Sequence, residues 1–181
     1  TNSSTTTTTN YQQLAIDLCL AALTGDGVYN LGQVEQTPVL ALLQNTESHH
    51  WLAELLHTVA AGDVTKINRL CDDYAVPMQS QPALVHRRTA VQEKLTLLAL
   101  VHLVFEKDST ERTIAFSEIA ARLQVSMDQV EWVVMRAFSV RLLEGSVDQV
   151  EQTVQITWVL PRVLNDAQTT DLAGRFSEWS N

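Results

Sequence analysis

The sequence predicts a mainly α fold, in which a right-handed helical-repeat solenoid of the TPR or HEAT type is followed by a winged-helix α+β subdomain. Apolar residues recur at three-to-four spacing through most of residues 11–106, as they do along helices that bury one face. After Leu143 the period changes to two, which is typical of half-buried strands. Between Thr113 and Trp158 the chain accommodates a short strand, two helices and a β-hairpin, which is the order of elements in a winged helix.

We divide the chain into four segments. Residues 1–10 are a Ser/Thr-rich run without an apolar side chain, so we expect them to be disordered. Residues 11–106 form the helical-repeat part, and residues 107–164 form the winged-helix subdomain. Residues 165–181 form a C-terminal helix.

The helical-repeat part begins with a mostly buried helix over residues 11–23, which a Gly-Asp-Gly sequence ends. A helical hairpin follows at residues 46–61 and 64–74, where Gly62 and Asp63 separate the two helices. Paired helices of this kind are the unit of solenoids, which stack to bury their open faces. Pro82 then opens one long helix that runs to about Glu106 and connects the solenoid to the winged helix. The second half of this helix is apolar nearly all round, which predicts burial on most sides.

In the winged-helix subdomain, a strand at residues 112–116 precedes a helix at residues 117–123. Ser126 and Gln129 have the spacing of a capping box, so a second helix is expected to begin near Met127. Two strands that alternate apolar and polar residues then follow, joined through residues 149–152. Because Trp158 alternates with polar neighbours, we predict that it belongs to the core.

The charge of the chain bears on its partners. Acidic residues outnumber basic ones by 21 to 12, and the net charge is -9. Residues 107–164 alone carry six basic and eight acidic residues. Nucleic acids and anionic membranes are bound through Lys and Arg, and no apolar run approaches the roughly 18 to 20 residues that span a bilayer. We therefore expect neither a nucleic-acid nor a membrane partner and interpret the winged helix as a protein-interaction module.

The sequence offers no set of residues for catalysis or metal binding. It contains neither a phosphate loop, a dinucleotide fingerprint nor a nucleophile elbow. His49, His50 and His57 share a helix, but the neighbours His49 and His50 point about 100° apart and His57 lies two turns from His50, and no carboxylate or thiol is placed to complete a tetrahedral site. Cys19 and Cys71 lie in helical patterns and are expected to be reduced, structural thiols of an intracellular protein. We predict no enzyme activity, no cofactor and no metal.

Five residues are candidates for a protein interface. Trp132 and Met135 lie on the side of the second helix that faces away from its apolar stripe. They either contact a partner or pack on the hairpin or the last helix. Glu144, Ser146 and Asp148 alternate with apolar residues along the first hairpin strand, so they are expected on its outward face.

Several sequence motifs carry a family resemblance. In the helical part they are GDGVYNLG at 25–32, PVL at 38–40, WL at 51–52 and GDV at 62–64. In the winged helix they are FSEIA at 116–120, GSVD at 145–148 and TWVLPRVL at 157–164. Residues 11–181 resemble the C-terminal half of a PCI-domain subunit of the proteasome regulatory-particle lid. The Ser/Thr-rich start has no counterpart in this resemblance.

The resemblance implies a non-catalytic scaffold of the 26S proteasome lid that supports ubiquitin-dependent protein degradation in the cytoplasm and nucleus. Such subunits pair through their winged helices with other PCI-domain lid subunits, notably non-ATPase subunit five. The ubiquitin-receptor and metalloprotease-type lid subunits are further expected neighbours. A PCI subunit of a related complex, either the signalosome or a translation initiation factor, is the alternative. A nucleic-acid-binding winged helix is the more distant one.

Overall fold

The computed structural model describes residues 3–44, 46, 48–107 and 112–160, which form a mainly helical fold with one small antiparallel sheet. The predicted C-terminal helix at residues 165–181 lies outside the described residues. The helices are α1 (Ser3–Thr24), α2 (Leu31–Glu35), α3 (Ala41–Gln44), α4 (His50–Ala61), α5 (Val64–Asp73), α6 (Ala75–Gln79), α7 (Pro82–His86), α8 (Arg88–Glu106), α9 (Phe116–Leu123) and α10 (Met127–Ser139), with a 3-10 turn at Pro38–Leu40. The strands are β1 (Thr113–Ala115), β2 (Leu143–Asp148) and β3 (Thr153–Val159).

Helix α1 begins at Ser3, so the prediction of a disordered start is wrong for residues 3–10. Serine and threonine are mediocre helix formers, but extending an existing helix adds a hydrogen bond for each residue fixed, whereas starting one is costly. The rest of α1 is anchored by buried residues such as Cys19 and Leu23. The helix ends just before the predicted Gly-Asp-Gly sequence. Glycine is needed at position 25, because an added Cβ atom would lie 2.6 Å from the Ala21 carbonyl oxygen.

The hairpin of α4 and α5 lies close to where the sequence predicts it. Gly62 ends α4 with a left-handed backbone (φ 70°), which glycine adopts without strain. Asp63 caps α5, since its Oδ1 accepts a hydrogen bond from the Lys66 amide at 2.9 Å. Trp51 and Leu55 of α4 and Ile67 of α5 are buried in one apolar cluster with α1.

The long helix predicted from Pro82 is instead two helices, α7 and α8, which are separated at Arg87. Arg87 has φ -109° and ψ 21°, outside the helical range, although the α8 residue Val91 still donates its amide to the Arg87 carbonyl at 2.9 Å. Its Nη1 atom donates to the Thr24 carbonyl at 3.1 Å and to Asp26 Oδ2 at 2.9 Å. These tertiary contacts with the end of α1 fall at the break, and apolar periodicity carries no signal for them.

Helix α8 is shared by two apolar clusters, as its all-round apolar sequence predicts. Leu98 packs with residues of α1 and α4 in one cluster. Leu100, Val101 and Val104 pack in the other cluster with α9, α10 and the sheet. The helix therefore joins the helical part to the sheet-containing part through a buried, apolar boundary.

The sheet-containing part has strand order β1-β3-β2, and both pairings are antiparallel. Helix α10 begins at Met127 as predicted, but the Ser126 side chain makes no capping hydrogen bond, so the helix starts without the predicted capping box. Its stripe is buried against the sheet and α8 through Val130, Val133, Val134 and Ala137.

A β-bulge in β3 sets which side chains face outward. Glu144 pairs with Trp158, whereas the next residue, Gly145, pairs with Ile156, so Thr157 is an extra residue in β3. An extra residue reverses the in-out alternation beyond it. The prediction that Trp158 is a core residue is therefore wrong: Trp158 points outward and is 38% exposed, while Val159 is buried in its place.

Candidate protein-interaction site

The outward face of the sheet contains three of the five predicted interface residues. Glu144, Ser146 and Asp148 of β2 are all exposed, on the face that alternation predicts. Opposite them on β3 lie Trp158, Gln155 and Thr153. The opposite face of the sheet is apolar and buried through Ile114, Leu143, Val154 and Ile156. We call Glu144, Ser146, Gln155 and Trp158 the outer sheet face.

Sequence reasoning missed Trp158 as a member of the outer sheet face. Simple alternation puts Trp158 on the same side as Ile156, which is 5% exposed and faces the core. The available signal is Gly145, because an isolated glycine within a strand pattern often marks a bulge. A Cβ atom at Gly145 would overlap the carbonyl oxygen of Gln155 and lie 3.1 Å from the Ile156 Cα, so the backbones approach closely there.

Asp148 has a structural role in addition to its exposure. Its Oδ1 atom accepts hydrogen bonds from the Val150 amide at 2.9 Å and the Glu151 amide at 3.0 Å. This Asx turn closes the hairpin, and it leaves Val150 at the tip with 89% of its surface exposed. Substitutions at Asp148 therefore change the turn as well as the surface.

Trp132 and Met135 are exposed on α10, at 57% and 52%. This exposure leaves both side chains accessible to a partner, and the last helix of the other alternative lies outside the described residues. The hairpin contacts α10 at Glu131, the residue before Trp132, where Gln149 Nε2 donates a hydrogen bond to Glu131 Oε1 at 2.5 Å. On another side of α10, Arg136 Nε bonds Glu93 Oε1 of α8 at 2.5 Å, and this hydrogen bond raises the pKa of Arg136.

A cleft of about 610 Å³ lies where the loop after α1 meets α8 and α10. Its charged groups are largely occupied by intramolecular contacts. Lys94 is 6% exposed, and its Nζ atom donates to the carbonyl oxygens of Ala22 at 2.8 Å and Gly25 at 2.6 Å. These carbonyls lie at the end of α1, where helical partners are missing, so Lys94 acts as a cap. The sequence analysis did not identify Lys94. The only sign of its role in the sequence is a charged residue beside the apolar half of α8.

Burial lowers the pKa of Lys94 from its ordinary 10.5 to about 8. Between these values the unfolded state binds more protons, so the free energy of unfolding is expected to rise with pH. From pH 7 to pH 9 the rise is about 1 kcal/mol. Urea denaturation of the native chain and of Lys94→Met measures it, and only the native chain should show this increment. Equal pH dependence in both chains would contradict the assignment. The range stops at pH 9, because burial raises the pKa of Cys19 to about 12 and this opposes the trend above the usual thiol pKa.

The cysteines and histidines are placed as structural groups. Cys19 and Cys71 are free thiols, as predicted, and burial raises the pKa of both, which disfavours the reactive thiolate. His57 Nδ1 lies 2.7 Å from Glu35 Oε1, whereas His50 Nε2 lies 3.1 Å from the Tyr74 hydroxyl. Within the described ranges, no three His, Cys, Asp or Glu side chains are grouped to hold a metal ion. No helix in the described part of the chain has the length and apolarity to cross a membrane.

Two segments of the chain match models of known protein families. Residues 71–158 match the family model of the PCI domain, and residues 1–56 match the model described as PSD13 N-terminal repeats. Residues 71–158 therefore belong to the PCI-domain family. The second match includes residues 1–10, so the Ser/Thr-rich start does have a counterpart in these N-terminal repeats, contrary to the sequence-based expectation.

The chain is also similar to individual proteins over most of its length. The chain is 37% identical to 26S proteasome non-ATPase regulatory subunit 13 homolog B of Arabidopsis thaliana, over 92% of the chain. It is 36% identical to 26S proteasome regulatory subunit RPN9 of Saccharomyces cerevisiae, over 94% of the chain. The chain spans 43% and 42% of the length of these two relatives. A third relative, translation initiation factor 3 subunit M of Yarrowia lipolytica, is 30% identical over 83% of the chain.

Proposed function

We propose that this chain is part of a non-catalytic assembly subunit of the 26S proteasome regulatory-particle lid, acting in ubiquitin-dependent protein degradation in the cytoplasm and nucleus. The observation that carries the proposal is the similarity to proteasome regulatory subunits over 92% of the chain. The order β1, α9, α10, β2, β3 supports a winged helix, and the preceding helices support a right-handed repeat solenoid.

The outer sheet face is the surface through which the winged helix pairs with a neighbouring PCI-domain subunit, notably non-ATPase subunit five. Trp158 supplies an exposed aromatic side chain, the type that anchors protein interfaces, with Glu144 directly opposite it. A standard stable interface buries about 800 Å² per partner, so this face is the centre of a larger contact. The ubiquitin-receptor and metalloprotease-type lid subunits are neighbours at other surfaces.

The absence of catalysis is part of the proposal, and the state of the reactive groups supports it. The Cys19 thiol is buried with its pKa raised to about 12. Lys94 is bound to two backbone carbonyls, and Arg87 and Arg136 are paired with Asp26 and Glu93. These groups hold α1, α8 and α10 together and are not assembled around a common reacting centre.

The two alternative functions are a PCI subunit of another complex and a nucleic-acid-binding winged helix. The relative named as translation initiation factor 3 subunit M supports a PCI subunit of another complex, although it is less similar than the proteasome relatives. The signalosome is a third such complex. A nucleic-acid-binding winged helix is disfavoured by charge, because the segment that leads from Met127 to Met135 along α10 contains Asp128 and Glu131 without a Lys or Arg.

The test is to mix the chain with the PCI-domain half of non-ATPase subunit five and to measure the native mass of the product. We expect a one-to-one complex, and no complex with the PCI-domain half of translation initiation factor 3 subunits. A complex with the translation initiation factor 3 subunits alone would indicate that the chain belongs to that complex instead of the proteasome lid. Binding to duplex DNA with a dissociation constant below about 1 μM at physiological salt would instead favour the nucleic-acid function.

A further inference from the structure

A second exposed surface lies on α10 and the hairpin tip, apart from the outer sheet face. Met127, Glu131 and Met135 are spaced by four residues and form one row along α10. Trp132 and Asp128 form the adjacent row. Val150 and Glu151 join the surface from the hairpin, because their neighbour Gln149 is hydrogen-bonded to Glu131 at 2.5 Å. We call these seven residues the α10–hairpin surface.

The α10–hairpin surface exposes more apolar area than an isolated surface residue does. Met127, Trp132, Met135 and Val150 are 40%, 57%, 52% and 89% exposed. Clustered exposed apolar side chains with a polar surround mark interaction sites. Methionine is flexible and polarisable, so it adapts to partners of different shape, and tryptophan is a frequent anchor of interfaces.

The charge of this surface has a single sign. The segments 127–135 and 148–152 together contain Asp128, Glu131, Asp148 and Glu151, and neither segment contains a Lys or Arg. Arg136, the next residue along α10, bonds Glu93 of α8. The surface therefore favours a partner segment with basic residues, because a carboxylate would be repelled here.

The backbone chemistry indicates the conformation of the partner segment. A peptide that adds to a sheet edge is held by unpaired main-chain groups, but the main-chain groups of an α-helix are already bonded within the helix. Recognition on α10 therefore depends on side chains. An amphipathic helix meets this condition, since one face of it presents apolar side chains for Met127, Trp132 and Met135 while flanking Lys or Arg residues reach the carboxylates.

We propose that the α10–hairpin surface binds a basic amphipathic helix of a partner protein. This binding does not depend on the proposed pairing through the outer sheet face, because the two surfaces share no residue. In a winged helix that reads DNA, the second helix enters the major groove. Here the corresponding helix carries acidic and apolar side chains, which suit a basic peptide and repel a phosphate backbone.

The probe is a dye-labelled 18-residue peptide of Leu and Lys with helical spacing, titrated with the whole chain in fluorescence anisotropy. One comparison peptide replaces Lys by Glu, and another keeps the composition but scrambles the spacing. We expect saturable binding of the first peptide, with a dissociation constant on the order of 10 μM, and at least tenfold weaker binding of both comparison peptides. The affinity should fall as salt is raised.

Two variants locate the site. Asp128→Lys with Glu151→Lys and, separately, Trp132→Ala should each weaken binding at least tenfold; these side chains are exposed, so the fold should be kept. The matched control is Asp72→Lys with Asp73→Lys on α5, which makes the same change in net charge at exposed positions and should bind within twofold of the native chain. Equal weakening in the control, equal binding of the acidic or scrambled peptide, or no saturation up to about 1 mM would overturn the proposal.

Discussion

The chain carrying Glu144→Arg together with Ser146→Arg is expected to lose the proposed one-to-one complex with the PCI-domain half of non-ATPase subunit five. Both side chains are exposed on β2 and point to the same side of the sheet. Two arginines beside Trp158 add bulk and positive charge where the proposed interface is centred. Each unpaired charge that is buried on association costs several kcal/mol. We expect the dissociation constant to rise at least a hundredfold, measured by isothermal titration calorimetry.

The control for this variant is Asp72→Arg with Asp73→Arg, two adjacent exposed acidic residues on α5. It changes the net charge by 4, compared with 3 for the sheet variant, so a purely electrostatic effect would be larger in the control. Asp148 is left unchanged, because its carboxylate holds the hairpin turn. If both variants bind as the native chain does, the outer sheet face is not the pairing surface.

The substitution Gly145→Ala is expected to have the largest effect on stability, lowering the free energy of unfolding by about 3 kcal/mol, which is typical of severe overpacking. The added Cβ would overlap the Gln155 carbonyl oxygen, and a backbone atom cannot move away as a flexible side chain does. The bulge must then rearrange or β2 must separate from β3. Urea denaturation measures the change.

The matched control for Gly145→Ala is Ser146→Ala at the next position, which is exposed on the other side of β2. It should change the free energy of unfolding by less than about 0.5 kcal/mol. A stability loss of that small size for Gly145→Ala as well would mean that the bulge tolerates a side chain and that Gly145 does not determine its position.

Local signals predicted much of the fold. Gly62 and Asp63 mark the break between α4 and α5, because the left-handed turn and the helix cap depend on residues adjacent in sequence. Helix α10 also starts at Met127 as predicted, although the Ser126 side chain makes no capping hydrogen bond, and the hairpin turn lies between β2 and β3, where the change of period placed it. The exposure of Glu144 and Ser146 follows from alternation within one strand.

The errors at Trp158 and at Arg87 arise where contacts between distant residues decide the structure. The exposure of Trp158 depends on a bulge, which is a property of the pairing between β2 and β3. The break at Arg87 coincides with hydrogen bonds to residues more than 60 positions away. Lys94 caps α1 across a similar separation, and a single sequence gives no sign of which carbonyls a buried lysine will reach. The role of the outer sheet face stays a prediction.

Site-specific crosslinking determines whether the next subunit contacts the outer sheet face. A photo-reactive amino acid is placed at Ser146, or at Asp72 as the control, and the chain is irradiated after mixing with the PCI-domain half of non-ATPase subunit five, its proposed partner. Both positions are exposed in the free chain. We expect a crosslink to the partner from position 146 and none from position 72. A partner crosslink from position 72 with none from position 146 would contradict it.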